Sequence, residues 1–253
     1  MRPYLLAETN WHTIRNQRFE LAILPWGATE AHNYHLPYST DNLESELIVA
    51  EGARLAWERG AKLIVLPNIP YGVNTGQRDI YLDINLNPST QFAILSDVID
   101  VLNNQGIYKL IVFNSHGGND FKTMLRELGA KYPNMLLATT NWYKALDKQH
   151  YFEKSGDHAD EMETSLMLHL RPDLVLPRVN WGEGKEKKNK IKAFKEGWAW
   201  TERKWKEISE DTGVGDPRLA SKEKGEAYFK DLALIISDFF VEICMANANE
   251  LYE

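Results

Sequence analysis

The run Lys109-Leu110-Ile111-Val112-Phe113-Asn114 leads directly into Ser115-His116-Gly117-Gly118-Asn119. Uninterrupted apolar character, without alternation, is the mark of a strand buried on both faces. The two glycines let the backbone bend tightly before the helical pattern that follows, Asp120–Tyr132. Working outward, Glu20–Leu24, Lys62–Leu66 and Met135–Thr139 repeat the strand character. Asn42–Arg59 and Pro88–Gln105 repeat the helical one, with apolar residues three and four apart. Asn87-Pro88 opens the second of these and Gly106 lies just past its end, a start and a stop. A helix over Ala159–Leu170 is halted at Arg171-Pro172, and a long one is expected over Lys222–Asn247. Strand–helix alternation predicts an α/β fold, a three-layer αβα sandwich with a mostly parallel central sheet.

Composition narrows the function classes. The chain has 253 residues, 43% of them hydrophobic, which suits one large domain with a real core. A formal net charge of -7 argues against a nucleic-acid backbone binder, since the basic run Lys185–Lys195 is local. The single cysteine, Cys244, forbids an internal disulfide and points to a reducing compartment. Residues 1–10 lack the pattern of a secretory signal, and no apolar run approaches the roughly 20 residues of a membrane helix. A cytoplasmic protein with no membrane partner is expected. Residues 180–217 hold Trp181, Trp198, Trp200 and Trp205 without a clear period, so they read as an insertion covering the site or as an oligomer arm.

Three polar clusters fall at or after expected strand ends, where open α/β sheets bind ligands. The first contains Glu30, His32, His35 and Asp41. In extended chain, residues two apart face the same way, so Glu30 and His32 can converge. Asp41 opens the next helix, where free amides favour a carboxylate. The second is the turn carrying His116. The third, His158-Ala159-Asp160-Glu161-Met162-Glu163, packs four ionisable groups into six residues ahead of an apolar helix. Mixed carboxylate and imidazole donors suit Zn²⁺, Mn²⁺ or Fe²⁺.

Taken together, these segments resemble the creatininase family. The resemblance is carried by Gly27-x-x-Glu30-x-His32-x-x-His35-Leu36-Pro37 through Thr40-Asp41, by Asn114-x-His116-Gly117-Gly118-Asn119, and by His158-Ala159-x-x-x-Glu163-Thr164-Ser165. Tyr71-Gly72 and Gly213-Val214-Gly215-Asp216-Pro217 are secondary matches. The resemblance implies a binuclear site of two divalent ions, Zn²⁺ or Mn²⁺, and hydrolysis of a C–N bond in a small cyclic amide or formamide. By similarity Glu30, His32, Asp41 and His116 match ligand positions, with Asp41 as the bridge. Glu163 is the remaining acidic ligand, with Glu161 as its alternative. His158 matches a proton-shuttling histidine, and Glu161 or Asp160 would orient it or act as base. Gly117, Gly118 and Trp142 are the substrate-side candidates. A homo-oligomer, a hexamer by resemblance, is implied.

Departures set limits. Enzymes acting on creatinine carry a glutamate where this chain has Gly118. Asn33-Tyr34 replaces a Gly-Pro, and Asp160 replaces a glycine. Creatinine is therefore not the expected substrate. Alternatives that keep the site are a sugar-derived ring ketone, a short peptide, or a metal-retaining protein without turnover.

Overall fold

Among the described residues, four strands pair in the order β2-β1-β3-β4 and run parallel throughout. They are β1 (Leu21–Trp26), β2 (Leu63–Val65), β3 (Lys109–Asn114) and β4 (Leu136–Asn141). The computed structural model describes residues 2–154, 156–248 and 250–252; Met1, Ser155, Asn249 and Glu253 lie outside the described residues. β1 runs past the expected Leu24 because Pro25 and Trp26 stay in register with Phe113 and Asn114. Pro25 is tolerated there because β2 has already ended, and its carbonyl still accepts the Ile69 amide at 3.0 Å.

The helices are α1 (Trp11–Ile14), α2 (Thr40–Glu58), α3 (Pro88–Asn104), α4 (Lys122–Lys131), α5 (Glu161–Leu170), α6 (Lys192–Lys195), α7 (Trp205–Ile208) and α8 (Lys222–Met245). The period of two along each strand divides its side chains between two cores. Leu21, Ile23, Ile111 and Phe113 meet Ile48 of α2, Leu166 of α5 and Ile236 and Phe240 of α8. Ala22, Leu24, Leu110 and Val112 meet Leu95 and Ile99 of α3 and Leu128 of α4. Each fully buried aliphatic side chain contributes about 1.5–3 kcal/mol, so both faces need their helices. The result is the expected three-layer αβα arrangement.

The chain steps from β1 to β2 on one side, then returns to place β3 on the other side of β1. Strand order reverses between β1 and β3, and a crevice opens beyond their carboxyl ends. The loops carrying Glu30 and His116 both start there. No helix among the described residues is long and apolar enough to cross a membrane.

Candidate metal centre

β1 delivers Glu30 and His32, α2 delivers Asp41 in its first turn, β3 delivers His116, and the start of α5 delivers Glu163. All but Glu163 are at most 5% exposed. Among the described residues, three sets of donors lie with their atoms within 4.8 Å of one another. They are Glu30–Asp41–His116, His32–Asp41–Glu163 and Glu30–His32–His158, so Asp41 is common to the first two.

The three imidazoles share one arrangement. His32 Nδ1 lies 3.1 Å from the Glu30 carbonyl, His116 Nε2 3.0 Å from the Val73 carbonyl, and His158 Nε2 2.8 Å from the Ala31 carbonyl. A carbonyl only accepts, so each of these nitrogens carries the proton and donates it. The other nitrogen then faces inward. His32 Nε2 is 3.2 Å from Asp41 Oδ1, His116 Nδ1 is 2.9 Å from Glu30 Oε1, and His158 Nδ1 is 3.7 Å from the same oxygen. A lone pair facing a carboxylate oxygen at such distances needs a positive charge between them, a proton or a cation.

The titration behaviour of the chain alone says the same. Burial works against a charged His32, but Asp41, then Glu30 and Glu163, push it up to about 10. Burial likewise opposes charge on His116, yet Glu30 and Asp41 hold it well above the usual range. Burial alone would raise Glu30; His116, His158 and His32 instead hold it well below ordinary carboxylates. Burial lifts Glu163 to about 8, with His32 pulling the other way. His158 is lowered, by burial and by His32. At His32 and His116, protons thus take the positions that cations would.

Local structure explains how the donors arrive. Asn114 Oδ1 accepts the amide of His116 and the side-chain N–H of Asn119, fixing the turn after β3. Gly72 is required beside it, because a Cβ there would lie 2.6 Å from the His116 ring. Gly118 is required too, since its Cβ would fall 2.3 Å from the Val73 carbonyl. Ala159 takes φ +50°, a conformation costing an L-residue about 1–2 kcal/mol. That bend lies between His158, whose ring meets Glu30, and Asp160, whose carboxylate caps α5 by accepting the Met162 and Glu163 amides. Glu163 in turn accepts the Ala159 amide.

A cavity of about 470 Å³ opens above Glu30, His116 and His158, with Gly117 and Gly118 on its lining. Residues 200–203 and Trp205 form one wall. Trp198 and Trp200 are 75% and 83% exposed, whereas Trp205 is buried.

A family model described as creatininase, creatinine amidohydrolase, matches residues 7–240. The chain belongs to the creatininase family. A Bacteroides fragilis NCTC 9343 protein with a provisional creatinine amidohydrolase name has a crystal structure that matches with TM-score 0.93 and 39% identity, covering 100% of both chains. The creatinine amidohydrolase of Pseudomonas putida is 31% identical over 179 residues, 62% of this chain and 67% of that protein. The mycofactocin precursor peptide peptidase of Mycobacterium ulcerans (strain Agy99) is 23% identical over 223 residues, 83% of this chain and 80% of its own. A zinc–zinc form of a creatininase variant and a manganese creatininase, both 22% identical and covered over 96% and 99% of the two chains, share the fold at TM-scores of 0.76 and 0.75.

Two expectations need correcting within this creatininase frame. Glu161 is buried with its carboxylate turned from the donors, accepting the Glu153 and Lys154 amides at 3.0 and 2.7 Å and an ion pair from Lys224. It anchors the loop before α5, and it touches neither His158 nor the other acids. Trp142 is 1% exposed and packs in the core under α2 and α8, its indole N–H donating to Ser115 Oγ at 2.8 Å. It is no wall of the cavity. Gln77 and Glu44 escaped sequence reasoning, which gives Trp205 only as part of the Trp-rich segment. Gln77 donates to Glu30 from a distant loop, which no short motif could signal. Trp205 packs edge-on against the His158 ring, with centroids 4.7 Å apart. Glu44, one turn after Asp41, is fully buried with both oxygens unpartnered; burial, then Glu163 and Asp41, hold it well above the usual range.

Proposed function

We propose that this creatininase-family chain is a hydrolase that cleaves a C–N bond in a small cyclic amide or formamide, using two divalent ions per chain, Zn²⁺ or Mn²⁺. The observation that carries the reading is the shared arrangement of the imidazoles. Each gives its outer N–H to a backbone carbonyl and turns its inner nitrogen toward shared carboxylates at the base of a cavity. Carbonyl-oriented imidazoles of this kind are what metal-ligating histidines require. Glu30, Asp41 and His116 would hold one ion; His32, Asp41 and Glu163 the other, with Asp41 shared.

When bound, the ions supply Lewis acidity that activates water and polarises the scissile carbonyl. The chain's own residues do the rest. The hydrogen bond from Gln77 holds Glu30 in place, and the one that His116 donates to the Val73 carbonyl aims its ring. His158 keeps Nε2–H on the Ala31 carbonyl, leaving Nδ1 to hold the proton for the leaving nitrogen. Its lowered proton affinity, from burial and from His32, favours release of that proton. The reading takes the chain as one catalytic domain, with residues 180–217 as cover, working in the cytoplasm as a homo-oligomer. Light scattering checks the last point, and a strictly monomeric mass at micromolar concentration would contradict it.

A short peptide is the second reading. The match to the mycofactocin precursor peptide peptidase supports it, as does a cavity of about 470 Å³ without the carboxylate that position 118 would carry in enzymes acting on creatinine. The test follows substrate loss and product formation by chromatography for cyclic ureides, formamides, short peptides and, as a control for the ring-ketone alternative, a sugar-derived ring ketone, with Mn²⁺ or Zn²⁺ present. Turnover confined to cyclic amides or formamides supports the first reading. Turnover confined to peptides selects the second.

A further inference from the structure

We infer that Trp205, clamped by Arg203, is the positioning residue for the His158 imidazole, so that the segment from residue 200 to 215 aims the proton donor as well as walling the cavity. The inference rests on reading His158 as that donor. Among the described residues, His158 makes one side-chain hydrogen bond, from Nε2 to the Ala31 carbonyl, and a ring held at a single point can still pivot. Two rings restrict it: His32 at 4.2 Å between centroids, and Trp205 at 4.7 Å and 65°.

Trp205 is itself fixed. The Arg203 guanidinium lies 4.8 Å from its ring centre and pairs with Asp157 at 2.9 Å. Neighbouring residues on two segments are therefore cross-linked twice, Asp157 with Arg203 and His158 with Trp205. The same segment holds the His158 backbone, since Val214 exchanges hydrogen bonds with it at 3.2 and 2.8 Å. Its other side is pinned where Gly76 passes the Arg203 carbonyl so closely that a Cβ would lie 2.1 Å away. Trp198 and Trp200 are largely exposed instead, the first with its ring N–H donating to Glu196 at 3.1 Å. Without the indole, a gap opens beside His158 at the edge of the cavity, and Nδ1 loses its fixed direction.

The experiment uses zinc-loaded full-length protein with Trp205→Ala, Trp205→Phe and Arg203→Ala. It reads zinc content, kcat and KM on whichever panel substrate turns over, and the His158 ring resonances, assigned by their loss in His158→Gln. Trp205→Ala should keep its zinc, shift the His158 resonances and lower kcat about 10–100-fold, the scale of a small misplacement. Trp205→Phe should recover most of the loss, and Arg203→Ala should fall between. A rise in KM with kcat unchanged would make Trp205 a substrate wall and overturn the inference. So would a kcat loss that merely follows zinc loss. If Trp205→Ala does not fold, the other two variants decide by the same readouts. Absence of turnover by the unaltered protein would refute the hydrolase reading, while unmoved His158 resonances would refute the positioning.

Discussion

Replacing Gly118 with alanine should weaken metal binding without unfolding the protein. The added Cβ would sit 2.3 Å from the Val73 carbonyl oxygen and 2.5 Å from His116 Nε2. Ordinary carbon–oxygen contacts begin near about 3.3 Å, so the carbonyl must retreat by roughly 1 Å. It is the acceptor that aims His116, at 3.0 Å. A retreat of that size carries the pair past the roughly 3.2 Å limit of a good N–H···O bond. Losing the partner that orients a ligating histidine costs about 10–100-fold in metal affinity. That factor corresponds to about 1.4–2.8 kcal/mol. Competition for zinc against a chromogenic chelator measures it, and a thermal melt checks folding. Gly118→Glu should do no better than alanine at keeping the His116 orientation, because glutamate brings the same Cβ. Unchanged zinc affinity in a folded Gly118→Ala protein would refute the reasoning.

Ligation and proton transfer should separate on mutation. Asp41→Ala should shed at least one ion together with activity, since a carboxylate that both donor sets share has no substitute in water. His158→Ala should keep its metal and lose turnover by about 10²–10⁴-fold; metal analysis beside kinetics tells the two apart, and equal metal loss would make His158 a ligand. His35 sets a pH dependence of stability. Burial, then His32, lowers it to about 4, and its Nδ1 has no partner. A histidine with a lowered folded pKa binds fewer protons folded than unfolded below its normal value near 6.5, so stability falls as pH drops from about 6.5 toward 4. Urea unfolding at pH 6.5 and 4.5 should show the unaltered protein losing about 2 kcal/mol more than His35→Asn. Parallel losses in both proteins would count against this.

The strands were legible because burial on both faces leaves a continuous apolar signature, as in Lys109–Asn114. The end of β1 was not, because Pro25 imitates a strand terminator and only the pairing with Phe113 shows otherwise. In the site, polar clusters at strand ends and early helix turns were legible by themselves, but it was their resemblance to the creatininase family that let Glu30, His32, Asp41, His116 and Glu163 be named together. Direction was harder to read. Glu161 and Glu163 are two apart on one helix, about 200° around its axis, so only one can face the donors. Sequence does not reveal that Lys224 captures the other. Trp142 read as a wall because it follows a strand end, yet its indole N–H finds Ser115 inside the core. Gln77 and Trp205 reach the site from short helical turns whose approach depends on tertiary packing.

The central claim is that the buried carboxylates and imidazoles form a two-metal centre. Its most direct test is inductively coupled plasma analysis of protein stripped by chelator, reconstituted with Zn²⁺ or Mn²⁺ and desalted. The account predicts a content approaching two ions per chain. Protein that retains no transition metal after reconstitution would contradict it.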